Sequence, residues 1–403
     1  MLNPQEAETR IRETFSLWES EWIPFDQAEG RVLRRSILAD RDLPPYDRVM
    51  MDGIAVDWER AETALRGEGL KLSGTVFAGE PERTLNLEDR GVEIMTGAVL
   101  PRGVNTVIPR EALTWKEEQV ALQPDSEVSP GQFVHRRGSD FGKGFVLVEA
   151  GCALSSRELA VAASVGKVEL EVSCLPRVGL VSTGDELVDP GDEVAPHQIR
   201  RSNTHALAAM LRASGSGIPT LAHFKDDRKS LLEGLAGLLA SCDVLVLSGG
   251  VSKGKKDFVP EVLTELGVGQ RFHRVAQKPG KPMWFGWHEE QAKAVFGLPG
   301  NPLSTLVCAH RYLLPYLHRR AGLKARHSRP VILGAPFKFE PELTLFLPIS
   351  LEPNDQGELV AMPRPVQNSG DYASVVVTDG FVELPSGLTD FSTGSLLTFY
   401  PWS

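Results

Sequence analysis

Between Arg177 and His318, runs of strand length alternate with helical patterns, and that order admits few folds. Arg177–Ser182 reads as a strand and Asn203–Ala213 as a helix closed by Gly215. A further strand leads to Asp226-Asp227 and a helix rich in leucine (Leu231, Leu235, Leu239). Val244–Leu247 is a buried strand feeding Gly249-Gly250, and Phe258–Leu266 is a helix. Lys293–Phe296 is a strand and Pro302–His318 a long helix. Alternation of this kind builds βαβ units around a mainly parallel sheet. Such sheets bind ligands beyond the carboxyl ends of their strands, so the residues just after those ends are the first candidates for chemistry.

The rest of the 403 residues reads differently, and a chain of this length holds roughly two to four domains. Ile11, Phe15 and Trp18 share one face of an N-terminal amphipathic helix. A Pro/Gly-punctuated extended segment follows at Asp42–Val56, and residues 65–150 read as short strands without a helix. Leu154–Val165 is helical, with Ser155 and Glu158 spaced as a capping box. Short β segments after Arg329 predict a small C-terminal β domain. The fold expected is therefore α/β and multidomain. A discontinuous helical/β domain spans 1–44 plus 135–175, and a β-rich inserted domain spans 45–134. The central α/β domain covers 176–326, and a small β-barrel-like domain covers 327–403.

Composition narrows the function. A formal charge of −10 argues against nucleic acid as a partner, because such binding needs clustered positive charge. An anionic ligand would require a local basic pocket. No stretch approaches the roughly 18 apolar residues of a membrane span, and the N-terminus lacks an apolar core of the signal-peptide kind. Cys152, Cys174, Cys242 and Cys308 form no CxxC pair, which points to a reducing, cytoplasmic setting.

Three strand ends carry candidate residues. Ser182-Thr183-Gly184-Asp185-Glu186 supplies carboxylates that suit a hard cation, although a polar turn accounts for the same residues. In Ser248-Gly249-Gly250-Val251-Ser252, glycines let backbone N–H groups approach a phosphate, with Asp257 placed to bridge through a metal. The loop is not a Walker A motif, and a structural turn remains the alternative. Pro299-Gly300-Asn301-Pro302 opens a helix, and capping explains Asn301 and Pro302 without a ligand. Lys278-Pro279-Gly280-Lys281-Pro282 concentrates positive charge in an acidic protein, or is a solvated turn. Asp226-Asp227 has the form of a helix N-cap. Neither HExxH nor GxSxG is present, which disfavours zinc and serine hydrolases.

The ordered set MDGIAV (51–56), IMTGAVLPRGVNTVIPRE (94–111), VSTGDEL (181–187), SGGVSKGKKDF (248–258), KPGKP (278–282) and GLPGNP (297–302) resembles the molybdopterin molybdenumtransferase family, the MoeA/gephyrin E-domain family. The resemblance runs from about residue 5 to the C-terminus. It implies an elongated homodimer of four-domain subunits with a MogA-like central α/β domain. The implied reaction converts adenylylated molybdopterin and molybdate to molybdenum cofactor, releasing AMP with help from Mg²⁺. Carried over motif by motif, the catalytic positions are Asp52, Thr96, Glu186, Asp226, Asp257 and Lys278. Glu186, Asp226 and Asp257 would hold the metal. Gly249, Gly250, Val251, Ser252, Arg274, Lys281, Pro299, Gly300 and Ser369 would bind the pterin nucleotide and molybdate. Asp52 and Thr96 would complete the site of the partner subunit. A molybdopterin adenylyltransferase and recipient molybdoenzymes are the implied partners; nucleic acid and membrane are not.

The sequence departs from the family pattern in three places. Arg48-Val49 replaces the Asn-Ser pair of DNSAMDG, Arg274 replaces a lysine, and an arginine is missing from the stretch Leu345–Ile349, with Arg364 as its candidate substitute. All three bear on molybdate handling. Two other functions remain open at this point. One is a degenerate paralogue that cleaves the adenylylated pterin but handles molybdate poorly; the other is a gephyrin-like scaffold. The retained carboxylates and Lys278 speak against the scaffold.

Overall fold

A computed structural model describes residues 1–86, 90–116, 119–250, 258–324, 330–366, 368–371 and 373–402. The chain forms two units: residues 1–35, 150–156 and 169–403 make one, and residues 36–149 with 157–168 make the other. No described helix is long and apolar enough to cross a membrane.

The larger unit is built on a six-stranded sheet whose spatial order is Ile218–Phe224, Arg177–Thr183, Val244–Ser248, Lys293–Leu298, Trp284–His288 and Val268–His273. The first four run parallel, and the last two form an antiparallel edge. That edge is absent from the sequence reading. Its Trp284-Phe285-Gly286-Trp287-His288 run is buried throughout, and the Trp284 ring occupies the space a Cβ on Gly286 would need. Strands buried on both faces show no alternation to read. Helices cover both faces: Leu207 and Leu211 pack on one, and Leu231, Leu235 and Leu239 on the other.

The expected long helix at 302–318 is two α-helices, Pro302–Cys308 and Leu314–Arg320, joined by a π turn at Ala309–Leu313. Pro315 explains the break. It has no N–H for the Arg311 carbonyl and its ring crowds that turn, so the backbone widens there. Beyond residue 330 the strands Thr344–Pro353, Leu359–Pro363, Pro330–Leu333, Leu396–Pro401 and Gly380–Leu384 close on themselves into a small barrel. A short strand from far upstream, Gln277–Lys278, adds in parallel to Thr344-Leu345.

In the smaller unit, Gly53–Val56 lies between Gly91–Ile94 and Thr106–Pro109, and Thr75–Val76 completes the sheet. Asp57 precedes a helix, Trp58–Arg66, that the sequence reading left out. Trp58, Ala61 and Leu65 bury one face of it against Ile54, Ile108, Leu113 and Val120.

Candidate active site

The sheet order fixes where a ligand can bind in the larger unit. From Arg177–Thr183 the chain crosses to one side to form Ile218–Phe224, then returns to the other side to form Val244–Ser248. The reversal lies between the 177–183 and 244–248 strands, and such a switch point leaves a crevice at the carboxyl ends. Thr183-Gly184 and Ser248-Gly249-Gly250 therefore flank it. Gly249 and Gly250 have φ of +99° and +68°, a region that side chains disfavour. Gly249 N–H donates to Leu298 O at 3.1 Å, which draws the 248–250 loop beside Pro299-Gly300.

One side chain absent from the sequence-derived set stitches these loops together. Asn203 Nδ2 donates to Ser248 Oγ at 2.8 Å and to Gly300 O at 2.7 Å. The sequence signal was only a helix start, whereas the structure makes Asn203 the tie between two ligand loops. Asn301 Nδ2 in turn donates to Ser369 Oγ at 2.6 Å, and Leu303 N–H donates to Ser369 O. Gly249, Gly250, Pro299, Gly300 and Ser369 thus come together. Val251, Ser252 and Asp257 lie outside the described residues.

Glu186 is exposed, and it curls back so that both carboxylate oxygens would lie 2.7 Å from a Cβ on Gly184. The strand pair Thr183–Phe224 is in register, so Asp226 emerges from the neighbouring strand at the same edge. Asp227, not Asp226, caps the next helix by accepting from Ser230 N–H at 2.9 Å. The capping explanation therefore covers only the second aspartate. Among the described residues, no group of three His, Cys, Asp or Glu side chains converges as a metal site.

The lysine loop is held from beneath. Arg274 N–H donates to Met283 O and Val275 N–H to Lys281 O, so Arg274, Lys278 and Lys281 share one closed loop. Lys278 and Lys281 are exposed. Gln277, fully buried, donates Nε2 to Gly280 O at 3.3 Å and to Cys308 Sγ at 3.4 Å, and its Oε1 accepts from Tyr312 OH. Burial pushes the Cys308 thiol up to about 12, so it stays a neutral packing group. A Cβ on Gly280 would meet Cys308 Sγ at 2.5 Å, which accounts for the glycine. The expected arginine substitute is committed elsewhere: Arg364 Nε donates to Ser350 Oγ at 2.9 Å, and the guanidinium pairs with Glu352. The Leu345–Ile349 stretch is barrel core.

In the smaller unit, Asp52 Oδ1 accepts from Thr96 N–H at 2.7 Å and from Thr96 Oγ1 at 2.6 Å. Those two bonds hold the Asp52 carboxyl below its usual range. Gly53 must be glycine, since a Cβ would fall 1.9 Å from Ile108 O. The departure at Arg48-Val49 has a packing role: Val49 is buried in the sheet core, and Arg48 bonds His135 Nδ1 at 3.0 Å.

Comparison with known proteins now bears on these motifs. Residues 2–166 match the MoeA N-terminal region (domain I and II), 179–319 a probable molybdopterin binding domain, and 330–402 the MoeA C-terminal region (domain IV). The molybdopterin molybdenumtransferase of Synechocystis is 41% identical, with 94% of each chain covered. The chain belongs to the molybdopterin molybdenumtransferase family. The Haemophilus influenzae member is 29% identical over 100% of this chain and 99% of its own. A crystal structure of the molybdopterin biosynthesis MoeA protein from Pyrococcus horikoshii, 29% identical, superimposes with a TM-score of 0.83 and covers 100% of this chain and 99% of that one. Family membership makes the chain a transferase of molybdenum cofactor biosynthesis and disfavours the paralogue and scaffold alternatives.

Proposed function

We propose that this chain inserts molybdate into adenylylated molybdopterin with release of AMP. The observation that supports this most directly is the tie at the switch point, where Asn203 joins two glycine-bearing loops. Backbone N–H groups in such loops suit phosphate oxygens, and the loop of Arg274, Lys278 and Lys281 offers positive charge for molybdate. Glu186 and Asp226 offer hard carboxylate oxygens on adjoining strand ends, a donor set that fits Mg²⁺, with Asp257 as third ligand. Such a cation, when bound, neutralises charge developing on the cleaved diphosphate.

The same reading makes the working unit a homodimer in the cytoplasm, with Asp52 and Thr96 of one protomer completing the partner's site. A molybdopterin adenylyltransferase would supply the substrate, and recipient molybdoenzymes would take the product. AMP release from adenylylated molybdopterin, measured with and without molybdate and Mg²⁺, tests the activity; release no faster than the protein-free blank overturns it. Co-expressing Asp52→Ala with Asp257→Ala tests the shared site. Random pairing makes about half the dimers mixed, each with one intact site, so about a quarter of parental activity returns. No recovery in confirmed heterodimers overturns action in trans.

A further inference from the structure

The Thr183 hydroxyl has no assigned role, yet it sits at the switch point. Thr183 is 5% exposed, and its Oγ1 is buried with no hydrogen-bond partner among the described residues. Leaving a buried hydroxyl unpaired costs about 1–3 kcal/mol, so such groups are uncommon unless something external satisfies them. The neighbouring polar side chains are already engaged. Ser182 Oγ lies 3.0 Å from His223 Nδ1, and Ser248 Oγ accepts from Asn203.

Two glycines leave the space beside this hydroxyl free of side chains. A Cβ on Gly250 would fall 2.7 Å from Thr183 Oγ1, and one on Gly249 would fall 3.7 Å from it. The hydroxyl therefore abuts Gly249-Gly250, the loop that the proposed reading gives to the diphosphate. A side chain at 250 would press on Thr183 Oγ1.

We infer that Thr183 Oγ1–H is a ligand donor, which completes the glycine-loop site by hydrogen bonding an anionic phosphate oxygen of the bound nucleotide. This rests on the proposed reading that the crevice takes the diphosphate of an adenylylated pterin. It assigns Thr183 a binding role separate from the carboxylates of the same motif. No proton leaves the hydroxyl; it exchanges an unpaired buried state for a charge-assisted bond when the ligand arrives.

Thr183→Val keeps the shape and removes the hydroxyl, whereas Thr183→Ser keeps the hydroxyl. Inorganic pyrophosphate and AMP, each titrated calorimetrically into the dimer in Mg²⁺ buffer, serve as probes. Thr183→Val should bind pyrophosphate about 10- to 100-fold more weakly, the range for a hydrogen bond to a charged group. Thr183→Ser should stay within about threefold of the parent. Without ligand, Thr183→Val should melt no lower than the parent, because it gives up no internal hydrogen bond. Unchanged pyrophosphate affinity in Thr183→Val overturns the assignment, and so does a lowered melting temperature, which would mean the hydroxyl has a partner inside the protein. A parent chain that binds neither probe overturns the diphosphate reading itself, and Thr183 falls with it.

Discussion

The sheet edge and the lysine loop both present candidate groups, yet they hold them in place by opposite means. At the sheet edge the backbone does the positioning: parallel strands in register deliver Ser182, Ser248 and Leu298 to one line, and a single amide, Asn203, ties two loops together. At the lysine loop a side chain does it. Fully buried Gln277 grips Gly280 and Cys308 and receives Tyr312, while the lysines above it are exposed. A ligand loop can thus be rigid through its own strand or through a polar group hidden beneath it. The second kind is the more fragile, because one buried amide carries several bonds.

Replacing Gln277 with Leu is the most severe way to break this arrangement. It leaves Tyr312 OH buried without its partner and strips one of the bonds from Gly280 O, which keeps Met283 N–H, at a cost of about 1–3 kcal/mol. A shift of that size should appear in urea unfolding, together with weakened molybdate binding. Wild-type stability would show that the loop is held by its backbone alone.

Acid offers a second way to undermine the same support. Burial lowers His310 to about 4, and it sits in the π turn beside Tyr312. Its neutral form is favoured in the folded chain, so this contribution is fully present above the unfolded value near 6.5. It is lost as pH falls from there towards 4, to a total on the order of 3 kcal/mol. Arg311 shares the π turn and pairs with Glu8 and Glu383 on other elements, and carboxylate titration adds its own slope. The informative quantity is therefore the difference from His310→Phe, whose unfolding free energy should fall less steeply between pH 6.5 and 4. Identical slopes would remove His310 from the account.

Asn203→Ala tests the sheet edge. Two hydrogen bonds are lost at a half-buried position, about 1–2 kcal/mol in stability. Turnover should fall by more than tenfold, because two loops lose their common tie. A loss of stability without a kinetic effect would make the tie purely structural. The smallest effect on the fold belongs to Lys278→Ala: an exposed substitution should move stability by less than about 0.5 kcal/mol. It should nonetheless weaken molybdate binding more than Lys281→Ala does, since Lys278 is anchored in a strand. Equal losses would mean that the two charges act only as a diffuse field.

What the sequence disclosed follows the same division. Runs such as Val244–Leu247 and the glycines after them were legible, because hydrophobic runs and turn residues report backbone directly. The Trp58–Arg66 helix went unread, although Asp57 precedes residues spaced for one buried face, because two of its few apolar positions are alanines. The π turn could not be read, since Pro315 marks a break without saying whether the helix bends, ends or widens. Gln277 gave no signal, and Asn203 only that of a helix start. Their importance lies in distant partners, Cys308 and Tyr312 for one and Gly300 for the other, which only the folded chain brings near. The carboxylates were named from a family pattern. The geometry adds that Asp227 is the cap and that Asp226 stands at the sheet edge.

The two-residue strand Gln277–Lys278 has a mechanical consequence. Its hydrogen bonds belong to the barrel, at Thr344-Leu345, while the residues a few positions before it belong to the antiparallel edge of the large sheet. One continuous piece of backbone is therefore woven into both. The barrel cannot swing or peel away without pulling Lys278 and straining the turn above Gln277. Amide hydrogens in the barrel and in the sheet edge should consequently exchange with solvent in a single cooperative opening rather than in two.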